Sequence, residues 1–223
     1  MRLDLRGLQI SFAGLLVVSG AHYLGQDASE AGCLRADSGS SGPAIECSPD
    51  PLNVAHMVEI KAALSIFGID EAEVRYRGCQ KVPFETRMKG KGYLISYQVP
   101  ANNNGKQLVA PIMHELAHVF QAREAGSFLA LLKAPSLRIE LGADFLAGLM
   151  SANIETQIPL DILQEDVVLV GRYYEKEEGA HGTPEQRNNA FRLGHFHGYK
   201  TFKKSFPAAL KEFNKNLYGS LLN

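Results

Sequence analysis

The amino-acid sequence predicts an α+β domain that is mainly helical and has a small β-sheet. Apolar residues recur at helical spacing over about 54–67, 109–125, 158–177, 184–203 and 207–221, and around Glu140. Two shorter segments, 73–77 and 92–99, have the aromatic and β-branched residues that are typical of strands. Hydrophobic residues make up 45% of the 223 residues, which is enough for one core of ordinary size.

The N-terminal region is predicted to lie outside this domain. Residues 1–26 resemble a secretory signal peptide, because Arg2 and Arg6 precede an apolar, uncharged run. That run is shorter than the roughly 20 residues of a membrane span, so a membrane anchor over residues 8–24 is the alternative, and contact with a membrane is expected only if this segment stays uncleaved. Residues 27–52 are predicted to form a flexible linker, and residues 53–223 a single domain. We therefore expect a secreted or periplasmic protein.

The three cysteines fit an exported protein with one disulfide and one spare thiol, although all three could be free. A bond between Cys33 and Cys47 would close the linker, whereas a bond between Cys47 and Cys79 would tie the linker to the domain. The spacing does not decide between them. The net charge of -1 and the lack of a basic block argue against a nucleic-acid partner. The oligomeric state is not defined by the sequence.

The segment His114-Glu115-Leu116-Ala117-His118 is the most informative motif in the chain. Two histidines four residues apart lie on one face of a helix and can bind a single zinc ion together. Glu115 points to a different side of the helix, so it can reach a water molecule at the metal without being a ligand. Because zinc lowers the pKa of such a water towards about 7, Glu115 is predicted to take its proton as general base. The motif predicts a zinc hydrolase with one Zn²⁺ per chain.

A catalytic zinc site usually needs a third protein ligand, and the next predicted helix supplies a candidate. Glu140 and Asp144 are four residues apart and share a helix face. We expect Glu140 to bind the metal and Asp144 to accept the outer N–H of a ligating histidine. The alternative is an exposed acidic face, which the apolar neighbours of the two carboxylates disfavour. Ser136 is predicted to cap the start of this helix.

A third motif lies at residues 181–187. Thr183 and Gln186 form a capping box with a proline between them, so a helix is predicted to begin there. His181 precedes the cap, and we predict that it is a catalytic residue that donates a hydrogen bond to the oxyanion of a tetrahedral intermediate. Arg187 is predicted to orient Asp144 or to bind a substrate carboxylate. The alternative for His181 and Arg187 is a loop or surface position.

Together the three motifs resemble those of the bacterial neutral zinc metallopeptidase family and, more distantly, of the gluzincins. The segments are His-Glu-Leu-Ala-His at 114–118, Glu-Leu-Gly-Ala-Asp-Phe-Leu-Ala-Gly at 140–148 and His-Gly-Thr-Pro-Glu-Gln-Arg at 181–187. The resemblance covers roughly residues 90 to 200. It implies a zincin-like metallopeptidase domain in which the small sheet lies beside the first motif's helix. It also implies a helical glutamate, here Glu140, as third zinc ligand beside His114 and His118.

The strand predicted at 92–99 directly precedes the metal-binding helix. A strand in that place can hold an extended peptide if it lies at the edge of a sheet. Tyr93, Ile95 and Tyr97 are therefore predicted to bind the substrate. The alternative is an ordinary internal strand.

The predicted function is that of a zinc-dependent metallopeptidase with a peptide or protein substrate. The motifs specify the bond that is attacked and not the molecule that carries it, so a zinc amide hydrolase acting on a non-protein substrate, such as a cell-wall peptide, is an alternative. A catalytically inactive zinc-binding interaction domain is a third possibility. Glu115 argues against it, because a structural zinc site needs no base.

Overall fold

The computed structural model describes residues 34–35, 46–80, 84–154, 158–172, 181–200 and 205–222. Within these ranges the chain is mainly helical and has a small mixed β-sheet, which confirms the predicted α+β class. The predicted signal peptide at 1–26, including the alternative anchor at 8–24, lies outside the described residues. No helix in the described ranges combines the length and the apolar character that crossing a membrane requires.

The sheet has five strands in the order β1-β4-β5-β3-β2. They are β1 (Leu34–Arg35), β2 (Cys47–Pro49), β3 (Val74–Cys79), β4 (Glu85–Lys89) and β5 (Gly92–Gln98). The central strand β5 pairs in parallel with β3 and antiparallel with β4. The two predicted strands at 73–77 and 92–99 correspond to β3 and β5. Strand β4 was not predicted, because its sequence Glu-Thr-Arg-Met-Lys is mostly charged and polar.

The predicted linker over 27–52 is not separate from the sheet where the structure describes it, because β1 within this range pairs in parallel with β4. Strand β2 lies within it, pairs antiparallel with β3 and is joined to β3 by a disulfide between Cys47 and Cys79. The Asp50 carboxylate then accepts hydrogen bonds from the backbone N–H groups of Val54 and Ala55 and from the Tyr97 hydroxyl. The domain therefore includes residues 34–35 and 46–50 of the predicted linker, held by ladder, covalent and side-chain bonds that composition alone does not reveal.

Seven α-helices are assigned in the described ranges. They are α1 (Val58–Phe67), α2 (Val109–Glu124), α3 (Phe128–Leu131), α4 (Ser136–Ser151), α5 (Leu160–Arg172), α6 (Pro184–Lys200) and α7 (Phe206–Glu212). Short 3₁₀ segments occur at Val54–His56, Glu71–Glu73 and Gly105–Leu108, and α7 continues into a π-helical turn at Phe213–Leu217 and a 3₁₀ turn at Tyr218–Leu221. The predicted cap is wrong, because Ser136 is the first residue of α4 and Pro135 occupies the cap position.

Helices α2 and α4 form the centre of the domain. Every residue from 109 to 122 in α2 and from 139 to 151 in α4 is buried. Helix α2 packs against β4 and β5 on one side and against α1, α4 and α5 on others, while α4 packs mainly against α6. Polar side chains on these two helices are thus removed from water and need partners within the protein.

Helices α4 and α6 cross with their backbones in contact. A Cβ atom at Gly148 would overlap the carbonyl oxygen of Phe191, and one at Gly194 would overlap that of Phe145. Only glycine permits so close an approach. This contact fixes the first turn of α6 beside the polar face of α4.

Candidate metal centre

The two histidines of α2 present their imidazoles to a common point. His114 and His118 are completely buried, and their ring centroids lie 4.6 Å apart with an angle of 86° between the planes. Their spacing of four residues places both on one face of the helix. The Nε2 atoms are directed towards α4.

Glu140 on α4 meets these two nitrogens. Its Oε2 lies 3.3 Å from Nε2 of His114, and its Oε1 lies 3.6 Å from Nε2 of His118. Ligands about 2.1 Å from a tetrahedral zinc ion would lie about 3.4 Å from one another. Among the described residues, the two Nε2 atoms and Oε2 of Glu140 find no well-formed hydrogen bond, although all three atoms are buried. The three side chains could therefore hold a metal ion.

Asp144 contacts the first histidine, as predicted, and the alternative of an exposed acidic face is excluded because Glu140 and Asp144 are both buried. Its Oδ1 lies 2.7 Å from Nδ1 of His114, so Nδ1 carries the proton and Nε2 is left for a metal. Arg187, in the first turn of α6, donates from Nε to Oδ2 and from Nη2 to Oδ1 of Asp144, both at 2.8 Å. Asp144 and Arg187 are both completely buried. The predicted contact between Arg187 and Asp144 is thus observed.

Gln121 orients the second histidine and was not identified from the sequence. Its Oε1 lies 2.9 Å from Nδ1 of His118, and its Nε2 donates to the carbonyl oxygen of Ile139 at 3.0 Å. A Cβ atom at Gly142 would lie 2.7 Å from this Nε2, so the glycine provides the space for the amide. The spacing of three residues from His118 on a predicted helix is a signal that could have found it.

Thr86 on β4 holds the carboxylate of Glu115. Its hydroxyl donates to Oε2 of Glu115 at 2.7 Å, and both residues are completely buried. Oε1 of Glu115 accepts no hydrogen bond from the described residues. The contact places the sheet directly beside the helix that carries both histidines. Sequence reasoning missed Thr86 because it missed β4.

His181 lies at the same centre. Its Nδ1 is 3.4 Å from Oε2 of Glu140, and the residue is only 2% exposed. The capping box is confirmed, since Thr183 and Gln186 exchange hydrogen bonds of 2.9 and 3.1 Å, and Gly182 supplies a left-handed turn with φ of 83°. A surface position is thus excluded for His181, and its role as an oxyanion donor stays a prediction.

Burial and close charges perturb the ionisation of this cluster. Burial raises the pKa of Glu115, which favours its acting as an acceptor of protons. Burial also opposes ionisation of Glu140, but the adjacent histidines outweigh it and hold the pKa of Glu140 well below its usual range. For His114, burial lowers the pKa, yet the carboxylate of Asp144 more than offsets this and raises it to about 9. Arg187 in turn keeps the pKa of Asp144 low despite its burial.

The edge position on which the predicted substrate-binding role of Tyr93, Ile95 and Tyr97 depends is not observed. Strand β5 is paired on both sides and has no free edge for an added peptide. Ile95 and Tyr97 are completely buried against the helices, and Tyr97 donates to Asp50. The alternative, an internal strand, is the one observed. The alternation of these residues reflects a face that packs on the core.

Comparison of the chain with family models, with curated protein sequences and with solved structures finds no match in any of the three.

Proposed function

We propose that this protein is a zinc-dependent metallopeptidase with a zincin-like catalytic centre. The observation that carries the proposal is the convergence of His114, His118 and Glu140 next to a buried glutamate, Glu115, that has one unused carboxylate oxygen. Three protein ligands of this kind leave a fourth coordination position for water or substrate, which is typical of catalytic zinc and not of structural zinc.

The ligand set favours zinc among the common metals. Two neutral imidazoles and one carboxylate are a donor set that zinc accepts in tetrahedral geometry, whereas calcium and magnesium prefer oxygen ligands in larger numbers. When bound, zinc would polarise the substrate carbonyl and make a water molecule acidic enough to be deprotonated near neutral pH. The remaining steps are assigned to side chains of the protein.

Glu115 is the proposed general base and then general acid. Thr86 holds Oε2, so Oε1 is free to take a proton from water and to pass it to the departing amine. The raised pKa of the buried carboxyl brings it closer to the range in which it can both accept and release a proton. His181, beside Glu140, is the proposed donor to the oxyanion.

Asp144 and Gln121 are proposed to fix the tautomers of the two histidines. Each accepts the Nδ1 proton of one imidazole and leaves Nε2 available for the metal. Asp144 is an anionic acceptor that itself receives hydrogen bonds from Arg187, whereas Gln121 is a neutral amide. Because all of the side chains at the centre are almost completely buried, we expect that a substrate gains access only when neighbouring segments move.

The test is mass spectrometry of a peptide library incubated with the purified zinc-loaded protein, beside a Glu115→Gln variant of equal zinc content. Cleavage by the wild-type protein and not by the variant is the expected result, and it excludes a contaminating peptidase. A protein that holds one zinc ion per chain and cleaves no peptide would contradict peptidase activity. That outcome would favour a zinc amide hydrolase acting on cell-wall peptides or an inactive zinc-binding domain, which incubation with purified cell-wall fragments would then separate.

A further inference from the structure

A cavity between the sheet and the helices contains a buried carboxylate that is not part of the metal centre. The cavity has a volume of about 400 Å³. It is lined by the residue before β4, the loop after β5, the residues at the start of α2, and one residue of α5. Phe84, Leu108 and Pro111 form apolar walls, and among the described residues of the lining Asp166 of α5 is the charged one. A pocket of this size and composition is suited to a side chain or small molecule.

Asp166 is buried, and one of its two carboxylate oxygens is unsatisfied among the described residues. The residue is 7% exposed, and its Oδ2 accepts no hydrogen bond from any residue in the described ranges. The neighbouring residue, Glu165, carries a charge of the same sign. Burial, and to a smaller extent the charge of Glu165, raises the pKa of Asp166 to about 6. A carboxylate removed from water without a cation is costly, so its retention in a cavity suggests that a cation from outside the fold completes it.

Two residues that line the cavity lie close along the chain to Glu115 and to its partner Thr86. Pro111 and Glu115 are four residues apart on α2, so they share a helix face and are separated by about 6 Å along the axis. On the other wall, Phe84 precedes Thr86 by two residues, and Thr86 is the residue that holds Glu115. A substrate whose carbonyl lies beside Glu115 could therefore place one of its side chains in the cavity.

We propose that this cavity is a substrate subsite that binds the basic side chain of a lysine or arginine residue, with Asp166 as the residue that determines the preference. This inference rests on the proposed peptidase function. The apolar walls would cover the methylene stem of the basic side chain, while its charged end reaches the carboxylate. The pairing of a buried carboxylate with a cationic group gives strong discrimination, because a neutral side chain leaves that carboxylate unpaired.

The first experiment compares cleavage of matched peptides by the zinc-loaded wild-type protein, by Asp166→Asn and by Asp161→Asn. The last variant removes an exposed carboxylate from the same helix. We expect the wild-type protein to prefer lysine or arginine at one position relative to the cleaved bond, and Asp166→Asn to lower kcat/KM for those peptides by about 10- to 100-fold. Peptides with norleucine at that position should change by less than about threefold in the same variant. Asp161→Asn should behave like the wild-type protein.

A second experiment does not depend on catalysis. Isothermal titration calorimetry measures binding of a basic side chain to the zinc-loaded Glu115→Gln protein. The three ligands are Nα-acetyl-lysine amide, Nα-acetyl-norleucine amide and lysine lacking the acetyl group. We expect the acetylated lysine compound to bind, the norleucine compound to bind at least tenfold more weakly, and the additional Asp166→Asn substitution to abolish the difference. Circular dichroism checks that the Asp166→Asn protein is folded.

The two experiments separate this inference from the proposed function. Selective binding that depends on Asp166, in a protein that cleaves no peptide, would support the cation subsite and contradict the peptidase. Peptide cleavage without any basic preference, or a preference that Asp166→Asn leaves intact, would overturn the subsite. Binding that requires a free α-amino group would also overturn it as stated, because the cation would then be the amino terminus of the substrate.

Discussion

Replacement of Asp144 by asparagine should damage both the fold and the metal centre. The carboxylate uses both of its oxygens, since Oδ1 faces Nδ1 of His114 at 2.7 Å and Nη2 of Arg187 at 2.8 Å, and Oδ2 accepts from Nε of Arg187 at 2.8 Å. Asparagine has the same shape but only one acceptor oxygen, so at least one donor would face an NH₂ group. It would also remove the negative charge that Asp144 presents to the completely buried guanidinium of Arg187.

Breaking a buried ion pair by removing one partner costs about 3 to 5 kcal/mol. With a urea dependence of about 1 to 3 kcal/mol per molar, the midpoint of urea unfolding should fall by at least about 1 M. Zinc affinity, measured by competition with a chromophoric chelator, should fall by about 10- to 100-fold because the tautomer of His114 is no longer fixed. Glu124→Gln, at an exposed position of α2, should change stability by less than about 0.5 kcal/mol.

A double-mutant cycle makes this prediction sharper. Arg187→Met alone should also be destabilising, because the buried Asp144 carboxylate then keeps only its hydrogen bond with His114. The double variant Asp144→Asn with Arg187→Met should lose less stability than the sum of the two single losses, since neither charge then remains. Additive losses, or a stability of Asp144→Asn within about 0.5 kcal/mol of the wild-type protein, would refute the buried pair.

Three further substitutions test other contacts. Gln121→Leu removes the acceptor of the second histidine, and we expect zinc affinity in the chelator assay to fall by about tenfold or more. Thr86→Val preserves shape but releases Glu115, so kcat on a cleaved peptide should fall while the zinc content measured by mass spectrometry stays at that of the wild-type protein. Gly148→Ala forces two backbones apart and should lower the free energy of unfolding by at least about 1 to 3 kcal/mol in urea.

Each of these substitutions has its own control. Gly219→Ala adds the same methyl group where no atom lies within 4 Å, so a loss equal to that of Gly148→Ala would contradict the crossing contact. Loss of zinc from Thr86→Val would mean that the threonine supports the ligands and not the base. Unchanged zinc affinity in Gln121→Leu would show that the amide does not govern the tautomer of the histidine.

The helices and the polar residues they carry could be predicted because both depend on local spacing. A four-residue interval places His114 with His118, and Glu140 with Asp144, on single helix faces whatever the rest of the chain does. The capping box at Thr183 and Gln186 is likewise a local pattern, and the structure contains both of its hydrogen bonds. His114, His118 and His181 all lie beside Glu140 in the structure.

What could not be predicted depends on pairing between distant segments. Strand β4 is polar and exists because β5 pairs with it, so the position of Thr86 beside Glu115 has no local signal. The same holds for β2, which is fixed by β3 and the Cys47–Cys79 bond. The edge position expected for β5 was wrong for this reason, because the number of neighbours of a strand is a property of the whole sheet.

The contact between Gly148 and Gly194 has a consequence for how this fold can change. Neither glycine belongs to the group that could hold a metal, yet each lies where an added Cβ atom would meet a carbonyl oxygen of the opposite helix. In a complete single-substitution scan of the chain, we therefore expect substitutions at Gly148 and Gly194 to be tolerated as poorly as those at His114 and Glu140, although the glycines contribute no chemistry. Engineering of the metal centre should keep the contact between α4 and α6 unchanged and vary the residues that line the cavity around Asp166.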